Sequence, residues 1–188
     1  MAVRPIVRLG HPALRTPARA VDLERVDDTE LQQLIDDLFE TMQEADGVGL
    51  AAPQVGVEEQ LFVWAAIDPD RPPAETEGPE LHVVLNPGIE PQSRDLVSDW
   101  EGCLSIPDLR GLVPRHAALR LHGFDRHGER IERTLEGYEA RIVQHEFDHL
   151  NGIVFLDRMR DLRSLAFSDE WRRYMTADDV DDDEPAVG

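Results

Sequence analysis

The 188-residue chain contains no lysine: all 19 of its basic residues are arginine, set against 39 acids, for a formal net charge of −20. With a pI near 4.5, it has little means of displacing counterions from phosphates, which argues against a nucleic-acid-binding surface. Cysteine is nearly absent as well. Cys103 is the one thiol, so no internal disulfide can form and nothing points to an oxidising compartment. Long hydrophobic runs are also missing. The longest, "LFVWAAI" at 61–67, is far too short to span a bilayer. Acids are absent from the N-terminus until Asp22, while Arg4, Arg8, Arg15 and Arg19 are present. Organellar transit peptides share that bias, but Pro5, Pro12 and Pro17 would interrupt an amphipathic helix and serine is scarce. The expectation is a mature cytoplasmic chain.

What is present supports one core. With 41% hydrophobic residues, the chain is long enough for one well-buried core and short for two full domains. Residues 1–175 are expected to form a single catalytic domain. The "ADDVDDDEPAVG" end, half acidic and without a base, makes 176–188 a solvated, disordered tail, and "DPDRPPAETEGPE" at 68–80 reads as an exposed acidic loop. Leu31, Leu34, Ile35, Leu38, Phe39 and Met42 recur at helical spacing and predict a helix over 28–46, with Asp27 and Glu30 as a capping box and Gly47 as terminator. "GVGLAAPQVG" at 47–56 is too rich in glycine for a regular strand. Strands are predicted at 61–66 and 81–86, and short β-like runs over 97–136 with a hairpin turn at "DRHG". Helices follow at 138–150 and 158–175. The pattern is α+β: antiparallel strands with helices packed on them and no βαβ rhythm.

The stretch "QHEFDHLNG", 144–152, carries the chemistry. Residues i and i+4 share a helix face, so His145 and His149 can present both imidazoles to one ion. Glu146 points about 100° away, beside that ion, where a general base acting on water belongs. The third ligand decides the class. One group of zinc proteases places a histidine ten residues after the first, but Phe155 stands there. Another uses a glutamate about twenty residues after the second, which leaves Glu170 open on spacing; that peptidase, sharing only the His-Glu-x-x-His helix, is the alternative reading. The remaining candidate is Cys103, whose thiolate would complete a Cys-His-His set with the fourth position open.

"GVGLAAPQVG", "EGCLSIP" at 101–107 and "QHEFDHLNG", in this order and spacing, resemble the three signature motifs of peptide deformylase. "IVRLGHPALRTPA" and "LRGLVPR" resemble other segments of that family, and the likeness runs over roughly residues 4–160. It implies antiparallel sheets around a central helix carrying the His-Glu-x-x-His motif. It implies a hydrolase that removes the N-formyl group from the N-terminal methionine of newly synthesised polypeptides, releasing formate. Cys103, His145 and His149 would bind one divalent ion, Fe²⁺ in the first place, with Ni²⁺, Co²⁺ or Zn²⁺ able to substitute. Glu146 would be the base, and the Gln54 amide and Leu104 N–H would steady the oxyanion. Val48, Gly49 and Gly102 would pair with the substrate main chain, Val48, Ile142 and the stem of Arg141 would receive the methionine, and Arg110 would sit near the outer substrate residues. The partners implied are N-formylmethionyl nascent peptides close to the ribosome, with no membrane. Some members dock on ribosomal RNA through a basic C-terminal helix; the acidic end here argues against that mode.

Overall fold

"LFVWAA" forms a strand without the usual in-out alternation because both of its faces are buried. In the computed structural model, which describes residues 2–66 and 79–175, it is strand β2 (Leu61–Ala66), the second in a five-stranded antiparallel sheet. The sheet runs β1 (Gly49–Ala51), β2, β3 (Glu80–Pro91), β6 (Ala118–Phe124), β7 (Arg130–Glu136). Leu61, Val63 and Ala65 pack with Leu31, Leu34, Ile35, Leu38 and Met42 of helix α1 (Thr29–Glu44) on one face. Phe62 and Trp64 pack with Ala140, Ile142, Val143 and Leu150 of helix α2 (Gly137–Leu150) on the other.

A second, three-stranded sheet runs β4 (Leu96–Cys103), β5 (Ile106–His116), β8 (Ala166–Phe167). β4 and β5 form a hairpin with Cys103 opposite Ile106, so Leu104 and Ser105 are its tip. The short helix α3 (Phe155–Arg158) caps this sheet through Phe155, which packs with Ile106, Val113 and Val154. Helix α2 lies among these elements, and ten of its fourteen residues are buried, from Ala140 to Leu150. A helix enclosed on nearly all sides can bury polar groups only where partners meet them, which is why its polar residues are bound from several directions.

The α+β class, the antiparallel sheets and the helix carrying the motif match the sequence expectation. Local details differ. The N-cap of α1 is Asp28, one residue later than expected, with no side-chain capping bond, so the Asp27–Glu30 box is not formed. Asp46, at φ 51°, takes the left-handed position after α1, a conformation aspartate tolerates better than most residues. "GVGLAAPQVG" does contain a strand, the three residues of β1, before a 3₁₀ turn at Ala52–Val55. The helix expected over 158–175 is broken into α3, a 3₁₀ turn at Leu162–Ser164, strand β8 and helix α4 (Ser168–Tyr174). The Asp161 side chain accepts the Arg163 N–H at 2.9 Å to start that turn, and Ala166 and Phe167 pair with Arg110 and Leu109. The tail at 176–188 and nearly all of the acidic insert lie outside the described residues.

Candidate metal centre

One sulfur and two ring nitrogens, from Cys103 at the end of β4 and from His145 and His149 on α2, lie within 4.8 Å of one another. The helix brings its two histidines together by spacing; the β4–β5 hairpin supplies the sulfur from the other sheet. Cys103 Sγ is 3.3 Å from His149 Nε2, and the two imidazoles meet edge to face at 5.0 Å. His145 stacks on Phe155 at 6.4 Å between centroids, so the residue standing at the protease ligand position serves as a wall. Glu170 is on α4, paired with Arg173 at 3.4 Å, and takes no part in the cluster. A thiol with two imidazoles suits a divalent first-row ion.

His145 is aimed by Glu101. Its Nδ1 lies 2.9 Å from Glu101 Oε2, which leaves Nε2 to face the ligand cluster, an arrangement typical of metal-binding histidines. Glu101 is 5% exposed, and a carboxylate so buried needs compensation. Arg115 supplies it through Nε at 2.9 Å and Nη2 at 3.0 Å, and Arg141 Nη1 adds a contact at 2.8 Å. Burial works to raise the Glu101 pKa, but the bonds from His145 and Arg115 outweigh it and hold the carboxyl far below its ordinary range. Arg115 continues to Asp148, one residue before His149, and Asp148 is held in turn by Arg158 at 2.6 Å. His145 therefore stands on a buried lattice of alternating charge, whereas His149 Nδ1 is buried without a hydrogen-bond partner among the described residues.

Glu146 is 4% exposed and its Oε2 is buried without a hydrogen-bond partner among the described residues. Burial pushes its carboxyl up to about 7. Gly49 makes room for it: a Cβ at that position would lie 2.8 Å from Glu146 Cγ and Cδ. Gln54 is fixed at both ends of its amide. Its Oε1 accepts the Ala51 N–H at 2.8 Å, which turns Nε2 toward Cys103 Sγ at 3.6 Å and Ser105 Oγ at 3.3 Å.

A cleft of about 390 Å³ opens beside this cluster. Cys103, His145 and Glu146 form one end, and Val48, Gly49, Gln54, Gly102, Leu104, Arg110, Arg141 and Ile142, all singled out from the sequence, line it as well. Arg141 contributes its stem, because its guanidinium is drawn to Glu101 and to the Val113 and Val97 carbonyls at 2.8 and 2.7 Å. β1 and β4 are each the terminal strand of their sheet, so both present an open edge on which an extended peptide can add. Sequence reasoning missed Glu101, Arg115, Asp148 and the lining residues Trp100 and Tyr138. A bulge interrupts the strand between Glu101 and Cys103, so alternation gave no signal for Glu101, and the arginine partners carry none either.

Comparison with known proteins settles the family. The profile described as Polypeptide deformylase matches residues 3–164. The chain belongs to the peptide deformylase family. Peptide deformylase 1 of Bordetella pertussis is 48% identical over 167 residues, 89% of this chain and 93% of that one. Peptide deformylase 1 of Nitrosomonas europaea is 44% identical over the same shares. Among solved structures, the class I type b deformylase of Acinetobacter baumannii with bound Met-Ala-Ser superposes at a TM-score of 0.77. It is 38% identical and covers 84% of this chain and 99% of its own. The actinonin complex of the Synechococcus elongatus deformylase gives 0.75 at 39% identity, over 86% of this chain and 81% of its own. Deformylases are metal-dependent, in keeping with the Cys103–His145–His149 donors. No described helix is long and apolar enough to cross a membrane.

Proposed function

We infer that the chain is a peptide deformylase: a hydrolase that removes the N-formyl group from the terminal methionine of newly synthesised polypeptides and releases formate. The observation that carries the reading is the buried Glu146 carboxylate, one oxygen of it unpartnered, beside the Cys103–His145–His149 cluster in a peptide-sized cleft.

Cys103, His145 and His149 would hold one divalent ion, Fe²⁺ by family likeness, with Ni²⁺, Co²⁺ or Zn²⁺ as substitutes that the same donors accept. When bound, the ion supplies Lewis acidity to the formyl carbonyl and acidity to water. Glu146 takes the proton from the attacking water and returns it to the departing amine, the two duties of a carboxylate in amide hydrolysis. Its raised pKa makes that proton easy to hold between the two steps. The Gln54 amide, locked with its N–H₂ toward Cys103, and the Leu104 N–H at the hairpin tip donate to the oxyanion of the tetrahedral intermediate. The open edges at Val48–Gly49 and Gly102 pair with the substrate main chain, which recognises a peptide without reading its side chains. Val48, Ile142 and the Arg141 stem receive the methionine. The site of action is the cytoplasm, close to the ribosome, on N-formylmethionyl nascent chains.

The test is formate release from formyl-Met-Ala-Ser by protein purified without oxygen and loaded with Fe²⁺ or Ni²⁺. Glu146→Gln is expected to abolish turnover while keeping the metal, and Cys103→Ala to lose both. Absence of formate from folded, metallated protein would overturn the reading, and cleavage at an internal peptide bond would replace it with the peptidase.

A further inference from the structure

Arg110 of β5 lines the cleft and makes no ion pair within 4.0 Å among the described residues, although most arginines here are paired to carboxylates. It is nevertheless held on three sides. Its backbone is pinned by β8, where Arg110 pairs with Ala166. Its guanidinium lies across Gly102 of β4, where an added Cβ would be 3.2 Å from Nε and 3.3 Å from Cζ. From the opposite side the indole of Trp171 on α4 covers it, with Cζ 5.1 Å from the ring centroid. Trp171 packs in turn on Trp100 at 5.9 Å, and Ser168 at the start of α4 reaches the cleft wall. The indole N–H is buried without a partner among the described residues, so ring contacts, not a hydrogen bond, fix the position of Trp171. The family profile ends at residue 164, before β8 and α4 begin.

A cation over an aromatic face, with its chain stem against bare main chain, is oriented before any ligand arrives, so less freedom is lost when it binds one. Gly102 lies on the open edge of β4 next to Cys103, so a peptide paired along that edge runs within reach of the guanidinium. A peptide offers main-chain carbonyls there at every residue, about 3.3 Å apart.

We propose that Trp171 is a positioning residue that holds Arg110 over the β4 edge to donate hydrogen bonds to the main-chain carbonyl of the substrate's third residue. The proposal rests on the deformylase reading given above. Trp171 acts through Arg110, and the C-terminal segment thereby extends recognition by a residue.

Steady-state kinetics on metal-loaded enzyme with formyl-Met-Ala-amide and formyl-Met-Ala-Ser-amide test it; the amides remove the terminal carboxylate as a competing ligand. For the intact enzyme the longer peptide is expected to be favoured about tenfold in kcat/KM, through KM, as one charge-assisted hydrogen bond would give. Trp171→Ala and Arg110→Gln should each collapse that ratio to near one, and the double variant no further. Trp171→Phe keeps a ring over the guanidinium and should retain most of the ratio. Formate release from the short peptide reports the deformylase reading separately. An equal loss on both peptides with Trp171→Ala, an unchanged ratio, or additive losses in the double variant would overturn the proposal. So would a length advantage that appears only when serine is replaced by aspartate, since that is side-chain recognition.

Discussion

A methyl group at position 49 would fall inside the volume that Glu146 now fills. The neighbouring main chain belongs to β1 and is tied to β2 with Gly49 opposite Trp64, so the backbone has little room to retreat and the carboxylate must move. Displacing a reacting group by about 1 Å can cost on the order of 100-fold in rate. Gly49→Ala is therefore expected to lower kcat about 100-fold while the protein binds metal and unfolds much as before. Metal content, thermal melting and kcat measured on one preparation check this. An active Gly49→Ala enzyme would show that Glu146 is free to adjust. Cys103 and the two histidines, which the structure brings within 4.8 Å of one another, were legible as candidate donors because each stands in a short motif. Glu101 was not, since its role depends on Arg115, 14 residues away, and His145, 44 away.

Helix α1 holds the N-terminal segment through the Thr41 hydroxyl, which accepts the Arg4 N–H at 2.8 Å, and through a buried carboxylate. Asp37, 4% exposed, accepts the Ala2 N–H at 2.8 Å, Arg4 Nε at 2.9 Å and Gln33 Nε2 at 2.7 Å. Burial works to raise its pKa, but the bonds from Gln33, Ala2 and Arg4 outweigh it and leave the carboxyl below its ordinary value. A depressed folded-state pKa gives stability that is complete above the unfolded value of about 3.9 and disappears as pH falls through the folded one. Asp37→Asn is expected to destabilise the protein by roughly 1–3 kcal/mol at pH 7, and the deficit should shrink below about pH 4, the unfolded value. Denaturant titrations at pH 7 and pH 3.5 decide it; a deficit that is the same at both would sink the claim. At this scale α1 was legible from its own apolar spacing, β2 from its unbroken apolar run and α2 from the His-Glu-x-x-His motif it carries. The C-terminal helix was not, because residues 166–167 gain more from pairing with β5 than from continuing a helix, and no local pattern records a strand partner more than fifty positions earlier.

The molecule as a whole is joined at its site. Cys103 belongs to the three-stranded sheet, while His145 and His149 belong to the helix packed on the five-stranded one, so an ion held by all three would link the two sheets. His145 is also held from behind by the Glu101–Arg115–Asp148 lattice, whose pairs run between protein charges. Chelation is thus expected to abolish formate release and lower the melting midpoint by about 5–10 °C, the shift for a ligand held at roughly 100 times its Kd. Far-ultraviolet circular dichroism should be unchanged, and Ni²⁺ should restore activity. Collapse of secondary structure on chelation would mean that the lattice does not stand alone. The separation of the donors has a consequence for how the protein is made. Cys103 leaves the ribosome 46 residues ahead of His149, an interval on the order of 2–9 s at ordinary rates of synthesis. Throughout that interval the thiol has neither its histidine neighbours nor the α2 wall to shelter it, so oxidative damage to this protein should fall most heavily on chains still being translated.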